Sequence, residues 1–499
     1  MNNIIVDEET KSSYRSIFKA TSLFGGVQVY QILVGIVKSK IIAVLLGPLG
    51  VGVLGLYQSA EQLLKSITSM GLQSSAVRDI SEANSSGDEN KVALKIAVLK
   101  RLILFTGLLG MVSMIVLSPF LSKVSFGSYN YILPFVLFSV CLLLDQICNG
   151  QKIILQGLRQ LNKLAIVTAI GSTVGLLVCI PIYCLWGVEG IVPTLILTSC
   201  IALFFTWTIV NKMQIKKIPV NNKEAFDEGS TMLKLGIAMS ASSILSTLSA
   251  YLIRSFISYQ GGVDEVGLFT AGFMLMTTYT GMVFSAMSTD YFPRLAAVNQ
   301  DNERCREIIN QQGEIGILIL LPLLLICIVF VPYIVKILYS NEFMPANGYI
   351  LWACGGMLFK MASWAISYVY VAKAEAKLFA IIETSANIIS LVFSVFGYVL
   401  GGITGLGVSF SIGYVIYLFI VFIIAHKKFD FTFSSTFIRL FIFESLLLFS
   451  CLGIVLFLSS LFKYIFGSIL IIYASYFAIV ELNKRTELIN TIKSYGRKK

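Results

Sequence analysis

Eight charged residues that lie within long apolar stretches of this chain have types suited to ion binding. Five are cations and three are carboxylates: Lys38, Lys40, Lys65, Arg254 and Lys360, with Asp145, Glu61 and Glu383. A charge in hydrocarbon is costly, so such residues usually face a wet cavity or a partner. Arginine holds phosphate oxygens bidentately and lysine acts as a compact point charge. We therefore expect the cations to bind an anionic group such as a pyrophosphate, and a carboxylate to titrate or bind an ion.

These residues also have a purely structural interpretation. Lys38, Lys40 and Arg254 can extend their charged ends toward the membrane surface while their stems stay in hydrocarbon. Glu61 and Lys65 are spaced i, i+4, which permits a local ion pair on one helix. Both interpretations stay open at this point.

Transmembrane helices are the elements that must position these charges. The 499 residues are 56% hydrophobic and 13% charged, with a mean hydropathy of +0.82, which excludes a soluble protein of this length. Most apolar runs exceed the ~18 residues that mark a spanning helix. The pattern predicts an all-α polytopic membrane protein with about fourteen transmembrane helices. They are expected at 20–46, 51–79, 102–121, 130–157, 162–186, 188–211, 231–259, 265–289, 311–339, 346–371, 378–400, 403–425, 437–460 and 464–481.

The distribution of lysine and arginine sets the expected orientation. With both termini in the cytoplasm, most of these residues fall on the cytoplasmic side, and Lys123 and Lys463 fall outside. The outer loops are short, which leaves no room for an outer catalytic domain. Residues 1–10 are polar and acidic, unlike the start of a cleavable signal, so the first helix is expected to remain as an anchor.

Two halves of the chain resemble each other at a constant offset. The turn at 47–53 (GPLGVGV) corresponds to 262–268 (GVDEVGL), and the turn at 187–191 corresponds to 402–406, both 215 positions later. Each repeat holds six helices, an even number, so both enter the membrane in the same orientation. We expect parallel lobes about a pseudo-two-fold axis, with a substrate path between them. The predicted divisions are a lobe at 1–212, a cytoplasmic linker at 213–230, a lobe at 231–428, and an extra two-helix hairpin with a basic tail at 429–499.

The repeat also relates the charges to one another. Arg254 corresponds to Ser39, which Lys38 and Lys40 flank, so both lobes are expected to present cations to a wet cavity. Asp145 corresponds to Lys360, at one depth on the fourth helix of each lobe. We expect these two to approach across the lobes; the alternatives are a static pair, or separate polar neighbours within each lobe.

No cofactor or metal site is predicted. The nine cysteines lack metal-ligand spacing and are predicted to be free thiols. The sequence also contains no phosphate-binding loop for a nucleotide. The net charge of +11 follows from the membrane topology and needs no nucleic-acid partner. The basic tail, which includes Lys484, Arg485 and residues 497–499, is expected to meet anionic membrane lipids.

Several segments resemble the Wzx-type flippases of O-antigen and enterobacterial common antigen units. They are YLIR at 251–254, DEVGL at 264–268, YFPRL at 291–295, KIIAVLLGP at 40–48, VAKA at 371–374, and Lys360. The resemblance spans roughly residues 14–428 and implies the multidrug/oligosaccharidyl-lipid/polysaccharide exporter fold.

The resemblance further implies a bacterial inner-membrane flippase for an undecaprenyl-pyrophosphate-linked oligosaccharide, driven by alternating access coupled to a proton or sodium ion, with a polysaccharide polymerase as a further partner. The terminal hairpin departs from the twelve-helix pattern of the family, although a related group of peptidoglycan-precursor flippases also has two extra helices.

Three alternatives remain. A multidrug or toxin exporter would share the fold but favours an acidic cavity, which the excess of intramembrane cations opposes. An O-antigen polymerase or ligase, an enzyme, usually needs a long outer loop that this chain lacks. A membrane O-acyltransferase needs a buried catalytic histidine, and His426, the one histidine, ends a predicted helix beside two lysines.

Overall fold

Thirteen α-helices make up nearly all of the described backbone, which contains no strand. The computed structural model describes residues 8–213, 215–216 and 218–486, without the side chains of 8–25, 238–239, 279, 289, 460 and 486. The predicted all-α class is confirmed. The helices are α1 (Glu8–Thr68), α2 (Leu72–Ser85), α3 (Glu89–Phe126), α4 (Ile132–Gly157), α5 (Leu161–Trp186), α6 (Ile191–Asn211), α7 (Asn222–Gly261), α8 (Val263–Ala297), α9 (Asn302–Leu338), α10 (Asn347–Ala372), α11 (Ala376–Phe429), α12 (Ser435–Phe457) and α13 (Ser460–Thr486).

The helices account for fourteen membrane crossings among the described residues. Ten stretches are long and apolar enough to cross, and a bent pair in α7, Asn222–Ile237 with Ser240–Gly261, is an eleventh. Three of the ten, Gly26–Thr68, Leu161–Asn211 and Ala376–Phe429, hold 43, 51 and 54 residues. Since a crossing needs about 20 residues, each of these three crosses twice, and the total agrees with the predicted number.

Glycines interrupt these three long stretches at the predicted outer turns. Gly47, Gly187 and Gly402 have φ angles of 64°, 54° and 56°, which glycine adopts without steric cost. In α11 the backbone folds back on itself. The close approach of its two arms shows this, since a Cβ on Gly405 would lie 1.9 Å from the carbonyl oxygen of Gly397. In a straight helix those residues would be ~12 Å apart along the axis.

The predicted second helix, 51–79, is wrong at its C-terminal end. The long helix ends at Thr68, and Met70 and Gly71 take φ angles of 49° and 62° before α2 begins. A side chain at Gly71 would meet the backbone of Gly236, its Cβ 2.0 Å from the carbonyl oxygen. The apolar residues of α2 recur at helical spacing and are buried: Leu72, Ala76, Ile80 and Ala83. They make α2 a surface-packed amphipathic helix instead of the end of a crossing.

The start of α7 extends into the stretch predicted as a linker. Asn221 and Glu224 form a capping box, in which each side chain accepts a hydrogen bond from the other residue's backbone N–H. This arrangement satisfies two amide groups that an uncapped helix end leaves unpaired. The helix therefore begins at Asn222, within 213–230.

The chain forms two compact units, residues 1–266 and 267–499. The core of the first unit includes Tyr57 packed edge-on against Phe135, with ring centroids 4.9 Å apart. The core of the second includes Tyr291 and Tyr370. α7 packs on α1 and α3 in the first unit, although the repeat assigns it to the second lobe. The predicted lobes come from the repeat in the sequence, whereas the two units are defined by contacts between residues. The units therefore do not test the lobe boundaries, which stay a prediction.

Candidate functional site

A polar cavity of about 470 Å³ lies within the first unit. It is lined by α1, α2, α3, α4 and α7. Eleven of its fourteen lining residues carry hydroxyl, amide or charged groups. The hydroxyl and amide groups belong to Ser66, Ser69, Ser74, Ser240, Ser243, Thr247, Gln62, Gln73, Gln146 and Asn149.

Helical spacing brings these polar groups to one face of each helix. On α7 the lining residues Ser240, Ser243 and Thr247 are spaced i, i+3, i+7, and those of α1 and α4 follow the same period. Ser66 and Thr247 share a hydrogen bond of 2.9 Å, which joins α1 to α7. The cavity is therefore held by side-chain contacts between helices. The sequence analysis did not predict it, although a polar stripe on three apolar helices is a signal that could have indicated it.

Three of the predicted charged residues meet beside this cavity. The Nζ of Lys65 lies 3.9 Å from an Oδ of Asp145, and the two side chains are 32% and 31% exposed. Glu61 interacts electrostatically with both residues. The partner of Lys65 is thus supplied by α4, and its i, i+4 neighbour Glu61 adds a second carboxyl to the same cluster.

The cluster of Glu61, Lys65 and Asp145 carries more negative than positive charge when both carboxyl groups are ionised. Two carboxylates beside a single ammonium leave a net charge of −1 in a partly buried place, where unbalanced charge is costly. The arrangement can therefore take up one proton or one monovalent cation.

Two of the other predicted cations, Lys38 and Arg254, contact helices of their own unit. The Nζ of Lys38 lies 3.5 Å from where a Cβ on Gly175 would be, so the ammonium lies against α5 in space left by the missing side chain. Arg254 donates from Nη1 to the carbonyl oxygen of Ala250, 3.2 Å away in its own helix. Lys40 is half-buried. Their predicted role in binding a headgroup stays a prediction.

In the second unit, Lys360 lies over three aromatic rings. Its Nζ is 5.6 Å, 6.0 Å and 5.3 Å from the ring centroids of Phe284, Phe410 and Tyr414. Cations at such distances are attracted to the negative ring faces. Among the described residues, no carboxylate lies within 4.0 Å of the Lys360 ammonium. Ring faces do not neutralise a charge, so Lys360 keeps its capacity to bind an anion.

Glu383 and Asp145 each have a partner within their own unit. Glu383 accepts a hydrogen bond of 3.2 Å from the hydroxyl of Tyr417, and Asp145 pairs with Lys65. The expected approach of Asp145 to Lys360 stays a prediction.

Arg485 differs from the expectation for a tail that meets lipid headgroups. Its Nε lies 3.0 Å from an Oε of Glu314 and its Nη1 lies 2.6 Å from an Oε of Glu481. The contact between α13 and α9 joins residues 171 positions apart, so no sequence spacing indicated it. Residues 497–499, the rest of the predicted basic tail, lie outside the described residues.

The sequence of this chain is similar to a known protein family and to two known flippases. Residues 41–347 match a family model described as polysaccharide biosynthesis protein. The chain is 20% identical over 412 residues to the Lipid III flippases of Escherichia coli (strain K12) and Shigella flexneri, which covers 81% of this chain and 96% of each relative.

Solved structures share the fold. One is the Lipid II flippase MurJ in an inward closed conformation, with a TM-score of 0.67, 14% identity, and coverage of 95% of this chain and 100% of that one. Another is a multidrug resistance MATE family transporter of the MOP superfamily, inward-facing, with a TM-score of 0.65, 15% identity, and coverage of 80% and 94%. The match that covers 95% of this chain must include part of the terminal hairpin. By the family-model match to more than half of its length, the chain belongs to the polysaccharide biosynthesis protein family.

Proposed function

We propose that this protein is a flippase for a lipid-linked oligosaccharide. The substrate in this proposal is an undecaprenyl-pyrophosphate-linked repeat unit of O-antigen or another surface polysaccharide, moved from the cytoplasmic to the outer leaflet of a bacterial inner membrane. Membership of the family and similarity to Lipid III flippases over almost their whole length support it. The observation from the structure that carries it is the cavity lined by hydroxyl and amide groups.

The chemistry of this cavity suits sugars. Side-chain amides donate and accept hydrogen bonds, and a serine hydroxyl that donates to its own helix keeps lone pairs for a ligand. Ser243 and Thr247 are arranged this way, donating to backbone oxygens of α7 at 2.7 Å and 2.9 Å. Pockets for drug-like molecules are lined predominantly by hydrophobic and aromatic side chains, whereas most residues that line this cavity carry a hydroxyl, amide or charged group. A volume of about 470 Å³ is enough to hold a sugar unit.

The charged residues divide into two proposed roles. Lys360, with Lys38, Lys40 and Arg254, binds the pyrophosphate. Lys65 was predicted to belong to the same group, but its pairing with Asp145 favours a part in coupling. In that role, a proton or sodium ion that binds at Glu61 and Asp145 releases Lys65 and so favours one state of an alternating-access cycle. Glu383 is the remaining coupling candidate.

The topology proposed with this function places both termini in the cytoplasm. Fourteen crossings, an even number, return the chain to its starting side, and the positive-inside rule selects that side. The protein acts without covalent chemistry and without a cofactor. Its working partners are the membrane lipids and the polymerase that consumes the flipped unit.

One observation favours a second candidate, a multidrug or toxin exporter. The carboxyls of Glu61 and Asp145 beside the cavity resemble the acidic setting that a cationic drug prefers. The two functions differ in what the cavity recognises, since a drug exporter does not need hydroxyl groups that match a sugar.

Replacing Ser243 by leucine tests recognition by the cavity. The change removes a hydroxyl from the lining and adds apolar bulk, so we expect transport of the lipid-linked sugar to fall about tenfold, which corresponds to ~1.4 kcal/mol. Transport is measured as flipping in proteoliposomes, at matched amounts of folded protein. Ser246→Leu is the control, because Ser246 lies on the same helix, is exposed, and donates to Ser242 in the same way without lining the cavity. Equal transport by both variants would contradict sugar recognition at this site.

A further inference from the structure

The terminal hairpin of α12 and α13 is bound to α9 at both of its ends. Ser434 caps α12, and its Oγ donates to an Oε of Glu314 at 3.1 Å while its N–H donates to Asn310 at 2.8 Å. Arg485, near the end of α13, donates from Nε to the other Oε of Glu314 at 3.0 Å. The Glu314 carboxylate of α9 thus accepts hydrogen bonds from both ends of the hairpin.

Arg485 joins α9 and α13 in a largely buried ion pair. Besides Glu314, it contacts the Glu481 carboxylate at 2.6 Å and the Glu481 carbonyl oxygen at 2.8 Å. The side chains of Arg485, Glu314 and Glu481 are 21%, 11% and 17% exposed. A charge-assisted contact at such depth is strong as long as both partners remain in place.

A second carboxyl group lies deeper in the hairpin without a hydrogen bond. Glu444 of α12 is 0% exposed, and neither of its carboxyl oxygens has a hydrogen-bond partner among the described residues. It interrupts a buried apolar seam of α12 that is formed by Leu440, Leu448 and Cys451. Burying an ionised carboxylate that lacks hydrogen bonds is too costly to persist. In the state seen here, Glu444 therefore carries a proton.

Within the part of the chain that the structure describes, the surroundings of Glu444 offer one cation. Arg485 interacts electrostatically with it, and the other charged groups in this region are Glu314 from α9 and Glu481 from α13. α10 also packs on α12, and there it contributes the apolar contact of Phe359 with Phe441. If Glu444 loses its proton, Arg485 is the partner that can balance the new charge.

We infer that Glu444 is a proton-binding site in the terminal hairpin and that release of its proton draws Arg485 away from Glu314. The proton leaves to water, and the buried group gains one negative charge. In the protonated state Arg485 ties α13 to α9, and in the deprotonated state it pairs within the hairpin. The two states differ in their contacts, as a proton-controlled equilibrium requires. This site is separate from Glu61 and Asp145, and the inference holds whatever substrate is moved.

Infrared spectroscopy of the full-length purified protein tests the protonation directly. We expect the parent to show the carbonyl stretch of a buried carboxylic acid that persists at neutral pH, where exposed carboxyls are ionised. Glu444→Gln should lose the part of that band that comes from Glu444, because the amide keeps the shape of the neutral acid but has no carboxylic-acid carbonyl group. Glu303→Gln is the control, since Glu303 is 76% exposed and pairs with Arg306 at the surface, and it should keep the band. A neutral-pH spectrum of the parent without the band, or a spectrum of Glu444→Gln that matches the parent's in this region, overturns the inference.

Hydrogen–deuterium exchange of the end of α13 tests the second half of the inference. As the pH is raised, exchange there should increase in the parent at the pH where the infrared band disappears. Glu444→Gln, compared at the same pH values to remove the intrinsic dependence, should stay protected throughout. If parent and variant exchange alike at every pH, the proton does not control Arg485. The parent titration needs no variant, so a folding defect in Glu444→Gln would leave the test intact.

Discussion

Replacing Asp145 by asparagine is expected to abolish stimulation of transport by an imposed ion gradient. The change keeps the shape of the side chain and removes its titratable charge. In the parent, Asp145 and Glu61 together exceed the single charge of Lys65, so the cluster gains from binding a proton or a cation. In the variant one carboxylate remains for Lys65, the charges balance, and the ion has no preferred state to stabilise. We expect transport under a gradient to fall at least about tenfold, toward the rate without one, since a ligand shifts an equilibrium only by its differential affinity.

The control for this experiment is Asp290→Asn. Asp290 is also in an ion pair, with Arg294 at 3.2 Å, but its side chain is 75% exposed, and exposed pairs contribute little. It should keep full stimulation in proteoliposomes with and without a gradient. If Asp145→Asn still accelerates with the gradient as the parent does, Asp145 is not the coupling site, and Glu61 and Glu383 become the residues to test.

Replacing Lys360 by methionine is expected to weaken binding of the lipid-linked substrate by about ten- to a hundredfold. Methionine keeps most of the stem that packs among Phe284, Phe410 and Tyr414 and removes the ammonium. A hydrogen bond to a charged group is worth about 1.5–3 kcal/mol, which gives this range. Lys360→Arg should retain much of the affinity, because arginine also stacks on aromatic faces and binds phosphate. The measurement is the dependence of transport rate on substrate concentration.

Lys428→Met is the matched control for the charge at Lys360. Lys428 also lies over an aromatic ring, 5.8 Å from the centroid of Phe429, but it pairs with Glu375 and is 42% exposed. It should leave the apparent affinity unchanged. If Lys360→Met binds substrate as the parent does while remaining folded in the membrane, Lys360 serves packing only, and the pyrophosphate is bound elsewhere.

The helices and their turns could be predicted from the sequence because both depend on local signals. Apolar runs of spanning length and glycines at short outer turns identified the breaks at Gly47, Gly187 and Gly402, and the structure confirms them. The separate helix α2 was missed, since the left-handed residues at 70–71 follow an apolar stretch without a proline. Their position is stabilised by close approach to Gly236, a contact that sequence spacing does not reveal.

The site could be predicted only in its residue types. Charges in apolar helices indicated Glu61, Lys65 and Asp145 individually, and i, i+4 spacing suggested a local pair. Their actual grouping depends on how α1 packs against α4, which brings together residues 80 positions apart along the chain, Lys65 and Asp145. The sequence analysis did not predict a role for Glu444, because its complete burial in the apolar seam of α12 is visible only in the structure.

Flipping measured in proteoliposomes tests the central claim most directly. Purified full-length protein is reconstituted with an undecaprenyl-pyrophosphate-linked oligosaccharide that carries a label on its sugar, and a sugar-cleaving enzyme outside reports the substrate that has crossed. The protein should accelerate crossing far above protein-free vesicles, an ion gradient should increase the rate, and the same lipid pyrophosphate without sugar should cross more slowly. Crossing at the protein-free rate, together with uptake of a cationic drug by the same vesicles, would contradict the flippase and support the exporter.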